Sequence, residues 1–175
     1  DGVSTAEAGK EASETCVREF IKDYFRTPEL WSTPTSGQRI LTALNRSLYH
    51  RGHEFHHDSK GYITTLSILI IKSNKAHIFH IGDSRIYLLR DGELQQLTVD
   101  HASDEGSERP YLTRAMGMAA GLQVDYKCMD LIEGDRFLLT SDGIHDFLTP
   151  DLLRDTLLKF GDSFEDSCDS LSKQA

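Results

Sequence analysis

Basic residues, cysteines and long apolar runs are all scarce in this chain of 175 residues, and each shortage removes a class of function. With 19 lysines and arginines against 28 acidic residues, the net charge of -9 repels a nucleic-acid backbone. The longest apolar stretch, Leu66 to Ile71 broken by Ser67, is far short of the roughly 20 residues that span a bilayer. No secretory signal precedes Asp1. A soluble, cytoplasmic segment without membrane contact is expected. Cys16, Cys128 and Cys168 are scattered, odd in number and lack C-x-x-C spacing, which argues against a disulfide framework or a zinc site and suits a reducing compartment. The length allows one packed core and hardly two.

What is present begins with helical periodicity. Val17, Phe20, Ile21, Tyr24 and Phe25 form one apolar stripe of a helix from about Glu7 to Phe25. Ile40, Leu41, Leu44 and Leu48 repeat the spacing in a second helix, with Ser36 as its cap and Gly52 or His56-His57 as its exit. From Tyr62 the period shortens. Tyr62 to Lys72, Ala76 to Ile81, Arg85 to Arg90 and Glu93 to Leu97 read as strands of an antiparallel meander. Ser73-Asn74, Gly82-Asp83-Ser84 and Asp91-Gly92 are its turns, the last being the dipeptide a two-residue hairpin prefers. After a polar loop from Ala102 to Pro110, Gln123 to Leu131 and Arg136 to Thr140 read as another hairpin. Thr149-Pro150 starts a helix with the stripe Leu152, Leu153, Thr156, Leu157 and Phe160, stopped by Gly161. Phe164, Cys168 and Leu171 mark one more. Helices, about six antiparallel strands, then helices describe an α+β layered domain.

Four aspartates stand where carboxylates could serve chemistry. Asp142 ends an apolar strand in Ser141-Asp142-Gly143, and Asp146 follows one helical turn later, so both would face one point. A capping Asp142 with a solvated Asp146 explains the same spacing. Asp83 lies in a turn, where aspartate is common in any case. Asp1-Gly2 is equally a frayed terminus or an ion ligand beside a glycine that permits close approach. Hard cations such as magnesium and manganese take oxygen ligands and keep several waters, which suits these aspartates. Among the eight histidines, His50, His53, His56 and His57 cluster without an acidic or cysteine partner and read as a solvated helix end. His77 and His80 face opposite sides of their strand.

The stretch from His77 to His101, through Ile81-Gly82-Asp83-Ser84-Arg85 and Asp91-Gly92 to Asp100-His101, closely resembles the PPM, or 2C-type, metal-dependent protein serine/threonine phosphatase family. Leu112-Thr113-Arg114-Ala115-Met116-Gly117 and the run from Gly134-Asp135 to Ser141-Asp142-Gly143-Ile144-His145-Asp146 are similar to the next two family motifs, in the same order. Asp1-Gly2 is similar to the opening Asp-Gly pair, and Gly61 with Thr64-Thr65 to the Gly-Thr-Thr strand. The short loop between Asp100-His101 and Leu112 resembles the bacterial branch, which includes members joined to a kinase domain. The resemblance implies an α-β-β-α sandwich of two stacked, mainly antiparallel sheets flanked by helices. It implies manganese or magnesium as cofactor: Asp1 bridges two ions, Gly2 offers its carbonyl, Asp142 binds the second ion, and Asp83 and Asp146 join Asp142 around a third. Asp1 and Asp142 are then the catalytic residues, and a water activated by the cations attacks a phosphorylated protein substrate in line.

The same resemblance places strands with a phosphate-binding arginine and an acidic ligand pair before Asp1, and an Asp-Asn motif after Ala175. Residues 1–175 are therefore expected to form a single catalytic domain truncated at both ends. Val3 stands where some members carry a histidine. The alternative reading is a catalytically inactive pseudophosphatase acting as a regulatory or binding module.

Overall fold

The apolar periodicity of the first third is realised as two helices, α1 (Ala6–Tyr24) and α2 (Thr33–Phe55). They are seen in a computed structural model that describes residues 1–2, 6–55, 61–104, 111–161 and 163–175. The buried face of α1 is Ala8, Ala12, Cys16 and Phe20, while Val17, Ile21 and Phe25 are exposed. The expected stripe is thus rotated, because small residues at i, i+4 and i+8 let α1 and α2 pack closely. In α2 the stripe is as expected, with Ile40, Leu41, Leu44 and Leu48 all buried. Its start is not: the helix begins at Thr33, the Ser32 hydroxyl accepts the Thr35 N–H at 3.3 Å, and Ser36 is buried inside the helix, donating to Thr27 Oγ1 at 3.2 Å. Gly37 lets the helix lie against the sheet, since a Cβ there would stand 2.3 Å from Phe79 Cζ.

The strands are β1 (Leu66–Lys72), β2 (Lys75–Ile81), β3 (Arg85–Arg90), β4 (Glu93–Gln96), β5 (Ala102–Ser103), β6 (Tyr111–Leu112), β7 (Asp125–Asp130) and β8 (Arg136–Thr140). Helices α3 (Asp142–His145), α4 (Pro150–Phe160) and α5 (Phe164–Gln174) complete the chain. The α+β class is as expected. Chain packing divides it into two compact units, Asp1–Gly82 with Asp100–Asp130, and Asp83–Val99 with Leu131–Ala175.

The first unit holds the antiparallel sheet β1-β2-β7, the small β5-β6 pair, and α1 and α2. Leu66 pairs with Ile81 and His80 with Asp125. Phe20, Leu41, Leu48, Phe79, Ile81 and Met116 are central to its core. The second unit holds the antiparallel sheet β4-β3-β8 with α3, α4 and α5. Its β3-β4 hairpin turns on Asp91 and Gly92 at φ 52° and 81°, the doubly positive pair of a type I′ turn. Tyr87, Leu89, Leu138, Leu148, Leu153, Leu157 and Leu171 form its core. Thr149 caps α4 by accepting the Leu152 N–H, Pro150 opens the helix and Gly161 closes it. In α5 the buried face is Ser167 and Leu171; Phe164 and Cys168 are exposed.

The expected meander and second hairpin are corrected. Strands β2 and β3 are consecutive yet belong to different sheets, and so do β7 and β8. The physical reason at the first junction is Gly82, whose N–H and C=O both bond to His101 and so do not continue a ladder between β2 and β3. At the second, β7 pairs with the open side of β2, and β8 pairs with β3.

Candidate metal centre

In the first unit, Asp1 is tied down rather than frayed. Its carbonyl accepts the Thr65 N–H at 2.9 Å and the Thr64 hydroxyl at 2.5 Å, and its backbone nitrogen donates to Thr65 Oγ1 at 3.2 Å. Gly2 bridges to Thr64, which bridges in turn to Met116, so the Asp1-Gly2 backbone adds a strip beside residues 64 and 116. Thr64 and Thr65 are both buried. Glycine is required at position 2, because a Cβ would lie 2.4 Å from the Gly9 carbonyl carbon in α1. Position 3 lies outside the described residues, as do His56, His57 and positions 105–110 of the polar loop. His50 and His53 are exposed, as a solvated helix end requires.

The same unit holds a polar network centred on His101. His101 Nδ1 accepts the Gly82 N–H at 3.1 Å, and His101 Nε2 faces Asp125 Oδ2 at 3.1 Å. Arg114 Nη1 donates to the other Asp125 oxygen at 2.8 Å. Partial burial alone would raise the Asp125 carboxyl, but the hydrogen bonds from His101 and Arg114 outweigh it and hold the group below the ordinary carboxylate range. The His80 ring lies 4.8 Å from that of His101 and pairs through Nδ1 with Ser67 Oγ at 2.9 Å. His80 is buried and His77 is only partly so, which agrees with their placement on opposite faces. Burial pushes the Cys16 thiol up to about 12, so this cysteine is no thiolate nucleophile.

In the second unit, strand register does the positioning. Arg85 opens β3 and pairs with Thr140, the last residue of β8, so Asp83, two residues before β3, and Asp142, two residues after β8, lie at the same end of the sheet. Arg85 itself donates to the Tyr87 hydroxyl at 3.3 Å. Ser141 is the N-cap residue of α3, Asp142 its first residue and Asp146 its C-cap, the Asp146 N–H donating to the Asp142 carbonyl at 3.0 Å. One turn of helix therefore separates the two carboxylates. Asp142 Oδ1 accepts the Gly143 N–H at 2.7 Å, which fixes the carboxylate while its second oxygen has no described contact. The side chain of Asp146 is 65% exposed, and His145 Nε2 stands 4.0 Å from its Oδ1. His145 is buried and anchored through Nδ1 to Thr140 Oγ1 at 2.9 Å.

Asp1 and Gly2 thus lie in the first unit, and Asp83, Asp142 and Asp146 in the second. Among the described residues, no three His, Cys, Asp or Glu side chains are gathered closely enough to chelate an ion without other donors. The donor chemistry nevertheless fits a hard cation. It consists of aspartate oxygens and a glycine carbonyl, and magnesium-like ions are typically held by one or two carboxylates with water completing the shell. His101, Asp125 and Arg114 carry no spacing signal that would mark them as part of the supporting structure.

Antiparallel three-stranded sheets and helices in both units define an α+β architecture. The chain belongs to the protein phosphatase 2C family, whose model matches residues 1–175. It is 32% identical over 172 residues to the protein phosphatase PhpP of Streptococcus pneumoniae serotype 2, covering 89% of this chain and 69% of that protein. It is 33% identical over 118 residues to the serine/threonine protein phosphatase PstP of Mycobacterium tuberculosis, covering 59% of this chain but only 23% of that protein. The crystal structure of the M. tuberculosis phosphatase PstP superimposes with a TM-score of 0.85 at 26% identity, covering 99% of this chain and 78% of that one. The PstP catalytic domain solved with two manganese ions gives 0.84 at 26% identity, covering 99% and 77%. No helix among the described residues is long and apolar enough to cross a membrane.

Proposed function

We propose that this protein hydrolyses phosphoserine and phosphothreonine esters of phosphorylated proteins with manganese or magnesium as cofactor. Residues 1–175 act as one catalytic domain, and the metal ligands are Asp1, the Gly2 carbonyl, Asp83, Asp142 and Asp146. The observation that carries this reading is the placement of Asp83, Asp142 and Asp146 at one end of the β3-β8 pair, in a chain matched along its whole length by the family model. When bound, the cations lower the pKa of water and offset charge on the phosphoryl oxygens. The chain's own residues supply order. Thr64 and Thr65 fix the Asp1 backbone, and Gly143 fixes one oxygen of Asp142. Asp146 reaches toward solvent from the turn that His145 anchors.

Free Cys16, Cys128 and Cys168 support a reducing, cytoplasmic setting. A kinase domain in the same full-length protein belongs to this reading only through the resemblance to the bacterial branch, some members of which carry one. Phosphate release from a phosphothreonine peptide, with manganese, tests the reading. In the natural full-length protein, Asp142→Asn is expected to lower the rate by about 100-fold or more; unchanged turnover would remove Asp142 from the site and leave the proposal without its main support. A wild-type protein that binds manganese yet releases no phosphate from any phosphopeptide would favour the inactive-module alternative.

A further inference from the structure

The network at Gly82, buried at His101 and open to solvent at Asp125 and Arg114, has a direction that the metal-ligand assignment does not use. Gly82 sits at φ 110°, a conformation side-chain-bearing residues rarely adopt, and a Cβ there would stand 2.5 Å from Thr65 Cβ. Both of its backbone polar groups end on one residue. Its N–H donates to His101 Nδ1 at 3.1 Å, and its carbonyl accepts the His101 N–H at 2.8 Å. An imidazole nitrogen that accepts an amide proton carries none itself, so the ring proton resides on Nε2, which faces Asp125 at 3.1 Å. Arg114 holds Asp125 from the other side at 2.8 Å. The His101 side chain is 1% exposed. Its Nδ1 is therefore placed as an oriented acceptor for the Gly82 amide.

The geometry points to His101 as a positioning residue for metal binding, acting through the Gly82 backbone on Asp83, the next residue along the chain. This deepens the phosphatase reading and rests on it. Two facts give the arrangement its purpose. Gly82 packs on Thr65, the residue that holds the Asp1 backbone through its N–H and hydroxyl, so one packed group supports the main chain of Asp1 and the peptide that leads into Asp83. The Asp125-Arg114 pair orients the imidazole so that Nδ1, and not the protonated nitrogen, meets the Gly82 amide. Any non-proline residue at 101 would donate its N–H to the Gly82 carbonyl; what requires the imidazole is the acceptor at Nδ1 for the Gly82 N–H, with Nε2 turned to Asp125.

Two isosteric variants separate this from a purely structural role. Asparagine at 101 places its side-chain oxygen near the Nδ1 position and can still accept the Gly82 N–H. Glutamine reaches the Nε2 position, serves Asp125 and leaves that N–H unaccepted. In the natural full-length protein, calorimetric titration with manganese is expected to show affinity about tenfold weaker in His101→Gln but within about threefold of wild type in His101→Asn. Turnover at saturating manganese should fall less than affinity does in the Gln variant. Equal losses in both variants, or no loss in the Gln variant, would overturn the inference. Should His101→Gln fail to fold, Asp125→Ala, which frees the ring from its anchor, replaces it with the same expected loss, and unchanged affinity there overturns the inference equally. Asp142→Asn, titrated in parallel, isolates the underlying reading: if it binds manganese like wild type, the ligand assignment fails, whatever the His101 variants do.

Discussion

The two units place their candidate ligands by opposite means. In the second, geometry is local. Asp142 and Asp146 are one helical turn apart, and Asp142 is fixed by the N–H of its own neighbour. In the first, the described partners of Asp1 are far from it in sequence. Its partners are Thr64 and Thr65, and the peptide before Asp83 is held by His101 and braced through Asp125 and Arg114. The difference teaches where each unit is vulnerable. The second should tolerate changes away from its strand end as long as it folds, whereas the first couples packing directly to ligand placement.

Substitutions in the two cores test that contrast. Leu153 is 0% exposed in the second unit's core, and Leu153→Ala is expected to cost about 3 kcal/mol of stability by cavity formation. Manganese affinity of the folded fraction should remain that of wild type; a parallel loss of affinity would break the contrast. Gly82→Ala in the first unit is expected to cost about 2 kcal/mol, from the positive φ and the encounter with Thr65. Here manganese affinity should fall as well, and urea unfolding beside calorimetry checks both. Thr149→Ala removes the α4 cap and should cost about 1 kcal/mol with no effect on metal.

The smallest expected effect is on acid stability. Arg90 donates two hydrogen bonds of 2.7 Å to Asp135, whose side chain is 5% exposed. These bonds hold the Asp135 carboxyl below its ordinary value, with the Ile132 N–H adding to the effect and burial opposing it. A carboxyl lowered in the folded state stabilises fully above its unfolded pKa, about 3.9, and loses that contribution as pH falls through the lower folded value. Asp135→Asn should therefore flatten the decline of the urea midpoint below about pH 4. An unaltered pH profile would show that the pair contributes nothing measurable.

Legibility in the sequence follows the same division. The Asp91-Gly92 turn, the Thr149-Pro150 start of α4, its Gly161 stop and the Ser141-Asp142-Gly143 strand end were all readable, because each depends on residues a few positions apart. Strand partnership was not. The alternation of Gln123 to Leu131 and of Arg136 to Thr140 shows that each is extended, but alternation does not say that β7 pairs with β2 and β8 with β3. Helix rotation is hidden from the apolar pattern for a related reason: Val17 and Ile21 are apolar but exposed, and the buried face is made by Ala8, Ala12 and Cys16, whose small size is what the helix contact selects. The Asp1 tether and the His101 network join residues 64 and 19 positions apart, and no local pattern encodes them.

Manganese uptake measured by the paramagnetic resonance of the free ion tests the ligand assignment most directly. In the natural full-length protein, wild type is expected to deplete free manganese, and Asp83→Asn and Asp142→Asn each to leave more of it in solution while melting cooperatively as folded protein. Folded variants that take up as much manganese as wild type, with the same affinity, would contradict the account.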